Sequence, residues 1–189
     1  MKRCKWCDEN SKLYTEYHDH EWGIPVHEDI KLFEMLILEG MQAGLSWLTI
    51  LRKRENFRAA FDDFDYRKIA LYDTEKITEL LQNTGIIRNR LKINTVIKNA
   101  QAFLNIQHEF ESFDNYIWKF VDFKPIQNNF KKTEDIPAQT ELSKGISKDL
   151  KKRGMNFVGP TIIYSFMQAV GMVNDHEISC FKFHEIRDI

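Results

Sequence analysis

No run of the sequence reaches the roughly eighteen apolar residues of a membrane-spanning helix. Its start, Met1-Lys2-Arg3, leads into Cys4 and Trp6 rather than an apolar stretch, which is not a secretory leader pattern. The expected compartment is therefore the cytoplasm, with no membrane partner. Three cysteines, Cys4, Cys7 and Cys180, are too few for a disulfide-stapled scaffold and in a reducing interior would stay thiols or metal ligands. Only four prolines and eight glycines interrupt 189 residues, repeats and low-complexity tails are absent, and no linker divides the chain. Neither sign of charge dominates. Lys and Arg number 27 against 28 Asp and Glu, a net charge of -1, so any nucleic-acid face must be a local patch.

What remains is an ordinary globular composition, 43% hydrophobic and 29% charged, with aromatics at 13%, expected to form one domain over 1–189. Alternating strand patterns are scarce and helical spacings abundant, which gives an all-α fold. Lys31 to Gln42 is dense enough in Leu, Ile, Met and Phe to be a buried helix, with Asp29 as its cap. Ser46 caps a helix from Trp47 to Phe61. Short helices follow over Asp65–Leu71 and Thr74–Leu81, a longer one over Arg88–Leu104, and another over Phe113–Val121. Asp122 to Pro137 reads as a long loop. Leu142, Ile146 and Leu150 mark a helix ending at Arg153-Gly154, with a tight turn before a helix near Thr161.

Three constellations carry possible chemistry. Cys4 and His18 near one end, with His176 and Cys180 four apart near the other, have the donor set of a closed, structural zinc site. Cys7, His20 and His184 are rival ligands by position, and small buried cysteines with ordinary histidines are the plainer reading. Lys144 to Arg153 holds five basic residues and one acidic residue, a local charge of +4, just before the Gly154–Gly159 turn. With the amides opening the next helix it would suit a phosphate, although a solvated charge run is equally ordinary. Arg52, Lys53, Arg54, Arg88, Arg90 and Lys92 would widen that positive face. Finally, Glu39 lies inside the most apolar helix, flanked by Tyr17, Trp22 and Trp47. Rings around a carboxylate describe a pocket for a cationic purine, unless Glu39 is simply solvated and the tryptophans are core.

The blocks Arg3-Cys4-Lys5-Trp6, Tyr17-His18-Asp19-His20-Glu21-Trp22-Gly23, Leu38 to Trp47 and Lys53-Arg54-Glu55-Asn56-Phe57 together resemble bacterial 3-methyladenine DNA glycosylase I. Gly85 to Arg90, Leu150 to Gly154, Phe157-Val158-Gly159, Tyr164 to Ala169 and Val173 to His176 extend the resemblance over nearly the whole chain. It implies the helix-hairpin-helix DNA glycosylase fold, with the hairpin unit at about 142–171 and one structural Zn2+ per chain. The ligands implied are Cys4, His18, His176 and Cys180, joining segments 4–18 and 176–180, which demotes Cys7, His20 and His184. It assigns Glu39 and Tyr17 to polar recognition and catalysis, Trp47 to stacking, Trp6 and Trp22 to the aromatic surroundings, and Leu45 to the space left by a flipped nucleotide. Lys151, Lys152, Arg153, Gly154, Gly159 and Thr161 are then the DNA-binding set.

The activity implied is release of 3-methyladenine from alkylated double-stranded DNA by hydrolysis, leaving an abasic site. Thr161 and Tyr164 follow Gly159 where lyase-active relatives carry a lysine, so strand cleavage is not expected, and the match of Asn174 or Asp175 to a hairpin aspartate is unsettled. A monomer working at the nucleoid is the simplest assembly. A noncatalytic DNA-binding module, or a zinc-stabilised protein-interaction domain, would need no carboxylate within an aromatic pocket.

Overall fold

The structure, a computed structural model, describes residues 1–187. Ten α-helices are found among them: α1 (Lys12–His20), α2 (Asp29–Gln42), α3 (Trp47–Ala60), α4 (Tyr66–Ile69), α5 (Thr74–Gln82), α6 (Arg90–Phe110), α7 (Phe113–Trp118), α8 (Glu141–Lys152), α9 (Pro160–Ala169) and α10 (Phe181–Arg187). Short polar side chains start most of them: Ser11, Ser46, Asp65, Asp73, Asn89, Ser112 and Thr140 each accept a hydrogen bond from a first-turn amide. No described helix is long and apolar enough to cross a membrane.

α2 is the centre of the molecule, buried on all sides from Leu32 to Met41, and it packs against α3, α6, α7 and α9. Asp29 does not cap it. Its carboxylate instead accepts from the amides of Phe113 and Asp114, both at 2.9 Å, and so caps α7 from 84 residues away. Phe33, Phe103, Phe113 and Tyr66 interlock around this junction, with the Phe103 and Phe113 rings stacked at 4.2 Å.

The segment read as a long loop is tied down along its length. Ile126–Gln127 pairs in parallel with Val173–Asn174 as a two-stranded sheet of β1 and β2. The Asn128 amide donates to Asp175, and the Thr133 hydroxyl donates to Glu177. α8 and α9 pack on one another across the turn 153–159. Gly154 takes φ +94° there, and Pro160 opens α9 at its first position, where a missing N–H costs nothing. Gly171 is held by necessity: a Cβ on it would lie 2.5 Å from the backbone of Ile24 and Pro25.

Candidate functional site

A cavity of about 380 Å³ opens between α1, α2, α3, α9 and the segment before α8. Tyr17, Glu39 and Gln42 form one wall, Trp6, Trp22 and Trp47 its aromatic lining, and Thr161, Tyr164, Ser165 and Gln168 the α9 side. The predicted base-binding residues are thus brought together. Trp6 meets Trp22 edge-on at 4.9 Å, and Tyr17 meets Trp47 at 5.3 Å with a 50° tilt. Tyr17 and Trp47 are already in contact, so a planar guest has to stack on their cavity side rather than between them. The last wall, Thr133, Ile136, Pro137 and Ala138, carries no mark in the sequence, where Asp122 to Pro137 reads only as a long loop.

Glu39 is 4% exposed and makes no hydrogen bond or ion pair among the described residues. Burial alone pushes its carboxyl up to about 8. Burial, with Glu39 nearby, likewise holds the Tyr17 hydroxyl well above its ordinary value. Trp6 and Trp47 carry buried indole N–H groups with no partner among the described residues. An unpaired acid and unpaired donors concentrated on one wall are costly for a fold and are the mark of a place kept for a ligand. Behind the opposite wall, Asp175 is saturated: it accepts from the Tyr164 hydroxyl at 2.7 Å and from Gln168 at 2.8 Å, fixing two lining side chains.

Directly behind Trp6 and Trp22 lie Cys4, His18, His176 and Cys180, all buried, with their donor atoms within 4.8 Å of one another. The Cys4 sulfur is 3.4 Å from His176 Nδ1, and the Cys180 sulfur is 3.5 Å from both His18 Nε2 and His176 Nδ1. The other nitrogen of each ring is engaged: His18 Nδ1 with Asp19 at 2.8 Å, and His176 Nε2 with the Trp22 carbonyl at 3.1 Å. Those contacts aim the remaining nitrogens at the sulfurs, as at metal-binding histidines. Arg3 grips Asp19 with three hydrogen bonds and holds its carboxyl at about 2. The two sulfurs compete for a single charge, with Cys180 favoured as thiolate and Cys4, beside it and buried, kept a thiol. A divalent cation would let both ionise. Cys7, though buried, is outside the cluster, as are His20 and His184.

The basic face is smaller than the sequence suggests. Arg153 donates to Glu109 and Asp149 and lies over the Phe110 and Tyr116 rings. Arg54 is consumed by Glu34 and Glu21, Lys53 by the carbonyls of Thr84 and Gly85, and Lys92 is buried. Lys151, Lys152, Gly154 and Thr161 are exposed around the α8–α9 turn, Gly159 is partly so, and Arg52, Arg88 and Arg90 are exposed elsewhere. Leu45, 40% exposed, projects from the turn between α2 and α3.

Comparison with known proteins finds this arrangement elsewhere. The model of the methyladenine glycosylase family matches residues 6–183. DNA-3-methyladenine glycosylase 1 of Escherichia coli is 49% identical over 180 residues, 95% of this chain and 96% of that protein. A crystal structure of a 3-methyladenine DNA glycosylase I superposes with a TM-score of 0.92 at 52% identity, covering 95% of this chain and 98% of the other. The Staphylococcus aureus enzyme, solved to explain 3-methyladenine recognition, gives 0.92 at 35% identity and covers 96% of each chain.

Proposed function

Because the chain belongs to the methyladenine glycosylase family, we propose that it hydrolyses the N-glycosidic bond of 3-methyladenine in alkylated double-stranded DNA. It frees the base and leaves an abasic site without cutting the strand. The observation that carries this reading is Glu39, a buried carboxyl with no partner among the described residues, facing a cavity lined with aromatic rings. A purine methylated at N3 and still joined to deoxyribose is a fixed cation. It exchanges favourably for the proton on Glu39, and its planar ring stacks on the cavity side of Tyr17 and Trp47. Undamaged adenine is neutral and offers Glu39 nothing in return for ionising.

The positive ring is already a good leaving group, so no strong general acid is needed. With the nucleotide extruded from the stack, departure of the neutral base breaks the C1′–N bond and develops positive charge on the sugar, and water attacks C1′ and releases a proton to solvent. Glu39 serves recognition and electrostatics in this scheme, with Tyr17 beside it and Trp6 and Trp22 backing the wall. No lysine lines the cavity, which supports hydrolysis without a Schiff base.

α8, the turn and α9 act as the helix-hairpin-helix, with Lys151, Lys152, Gly154, Gly159 and Thr161 on the phosphates and Leu45 filling the gap left by the extruded base. Arg153 shapes the hairpin through its internal pairs rather than by a free charge. Cys4, His18, His176 and Cys180 would hold one Zn2+. A tetrahedral ion with bonds of about 2.3 Å to sulfur and about 2.0 Å to nitrogen would ask for S···N edges of about 3.5 Å. Three of the four S···N separations are 3.4 to 3.5 Å, and all four donor atoms lie within 4.8 Å of one another. With four protein ligands it would be a structural ion fastening the two ends of one glycosylase domain, which works as a monomer in the cytoplasm at the nucleoid.

The test is incubation with DNA carrying 3-methyladenine, measuring freed base and alkali-labile sites, beside undamaged and 7-methylguanine DNA. Release of 3-methyladenine with intact strands before alkali is expected. Absence of release by the zinc-loaded protein overturns the proposal.

A further inference from the structure

The buried Lys92 belongs to none of the roles above, and its environment is unusual. It is 8% exposed, has no ion-pair partner among the described residues, and its ammonium donates to the carbonyls of Met41 at 2.8 Å and Ala43 at 2.7 Å. Those are carbonyls at the C-terminal end of α2, where a cation is favoured by the helix dipole. Immediately beyond them the chain turns through Gly44 at φ +78°, exposes Leu45 and enters α3 at Ser46. The ammonium therefore fixes the root of the turn that carries Leu45.

Seven residues further along α6 is Asn99, two helical turns away and on the same side. It is 2% exposed and clamps the Asn156 peptide: its Nδ2 donates to the Asn156 carbonyl and its Oδ1 accepts from the Asn156 amide, both at 2.9 Å. Asn156 and Phe157 form the middle of the α8–α9 turn, and Phe157 is held there at φ +52°. The body of α2 also meets the α8–α9 turn beside this strip of α6. A Cβ built on Gly40 would lie 3.3 Å from Phe157 Cβ, and Lys92 Nζ is 6.0 Å from the Phe157 ring centre.

We propose that Lys92 and Asn99 are positioning residues for nucleotide extrusion: one face of α6 is a strut that holds the Leu45 turn and the α8–α9 turn at a fixed separation. This rests on the functional reading above and deepens it. A duplex gripped by the α8–α9 turn can be opened by Leu45 only if the two turns do not yield to one another. A rigid spacing puts the distortion into the DNA, whereas a loose one lets the Gly44 turn retreat. Neither residue touches the base cavity, so recognition of the freed base is independent of the strut.

The experiment compares single-turnover release from two duplexes, with 3-methyladenine opposite thymine or opposite an abasic position where no pairing has to be broken. Lys92→Met keeps the stem and loses the donors; Asn99→Leu loses the clamp. Each is expected to slow release on the order of tenfold at the paired site and at most about threefold at the unpaired site. Binding of free 3-methyladenine stays as in wild type. Leu45→Ala is expected to erase most of the further loss caused by Lys92→Met, since the two act in series. If the buried variants fail to fold, a glycine inserted after Gly44 frees the turn from the strut without entering the core and should show the same split. Equal losses on both duplexes, weakened free-base binding, or no loss at all would overturn the strut. Failure of the wild type to release base at all would instead overturn the proposed function.

Discussion

Replacing Glu39 with Gln should make the protein more stable, by an amount that depends on pH. The carboxyl is pushed from an ordinary 4.5 up to about 8 by burial. In the unfolded chain it ionises above about 4.5, whereas in the fold it keeps its proton to about 8. Its raised value contributes stability that is fully present below about 4.5 and is lost as pH rises towards 8. At about 1.4 kcal/mol per pH unit the penalty is under about 1 kcal/mol at pH 5, about 3 at pH 7 and about 5 above pH 8. Gln carries no such penalty. Urea unfolding of the zinc-loaded wild type and Glu39→Gln at pH 5, 7 and 8.5 should show a gap that widens with pH in favour of the variant. Base release should meanwhile fall sharply in the variant. A gap independent of pH, or a more stable wild type at pH 8.5, would refute the assignment of Glu39 as an unpaired buried acid.

Changing Lys151 and Lys152 together to Ala should weaken binding to every DNA sequence alike and reduce the slope of log affinity against log salt by about two, read by titration at several ionic strengths. Cys180→Ser, or a strong chelator, should release one zinc per chain and lower stability by several kcal/mol. Freeing a closed loop of about 160 residues is worth about 5 kcal/mol in chain entropy. Metal analysis with thermal unfolding would detect this, and an unchanged melting temperature would argue against a fastening role. Gly171→Ala should cost on the order of 3 kcal/mol or more, because its Cβ has only the Ile24–Pro25 backbone to push against, and it should leave the protein poorly folded at 37 °C.

Legibility from sequence followed distance along the chain. Ser46 and Asp65 cap the helices their positions suggest, because a cap acts on amides two or three residues away. Asp29 looked the same and serves α7 instead, since the amides of Phe113 and Asp114 reach it only through tertiary packing. The cationic residues failed for the same reason. Arg54, Lys92 and Arg153 look like solvent-facing charge until Glu34, the Met41 carbonyl and Glu109 are brought to them from 20 to 51 residues away. Glu39 was readable because an acid within so apolar a helix has to be explained wherever the helix lies. The cavity wall at Thr133 and Ile136 was not, because its order derives from Glu177 and β2 rather than from its own pattern.

The cluster of Cys4, His18, His176 and Cys180 also sets an order of assembly. On the ribosome the first two emerge long before the last two, and Trp22, which packs its ring against His176 at 4.6 Å, lacks its backing until then. On the proposed reading, a nascent chain therefore cannot complete this cavity wall until Cys180 is made. Fragments that end before His176 would carry the α8–α9 turn but lack the backing of the Trp22 side of the cavity.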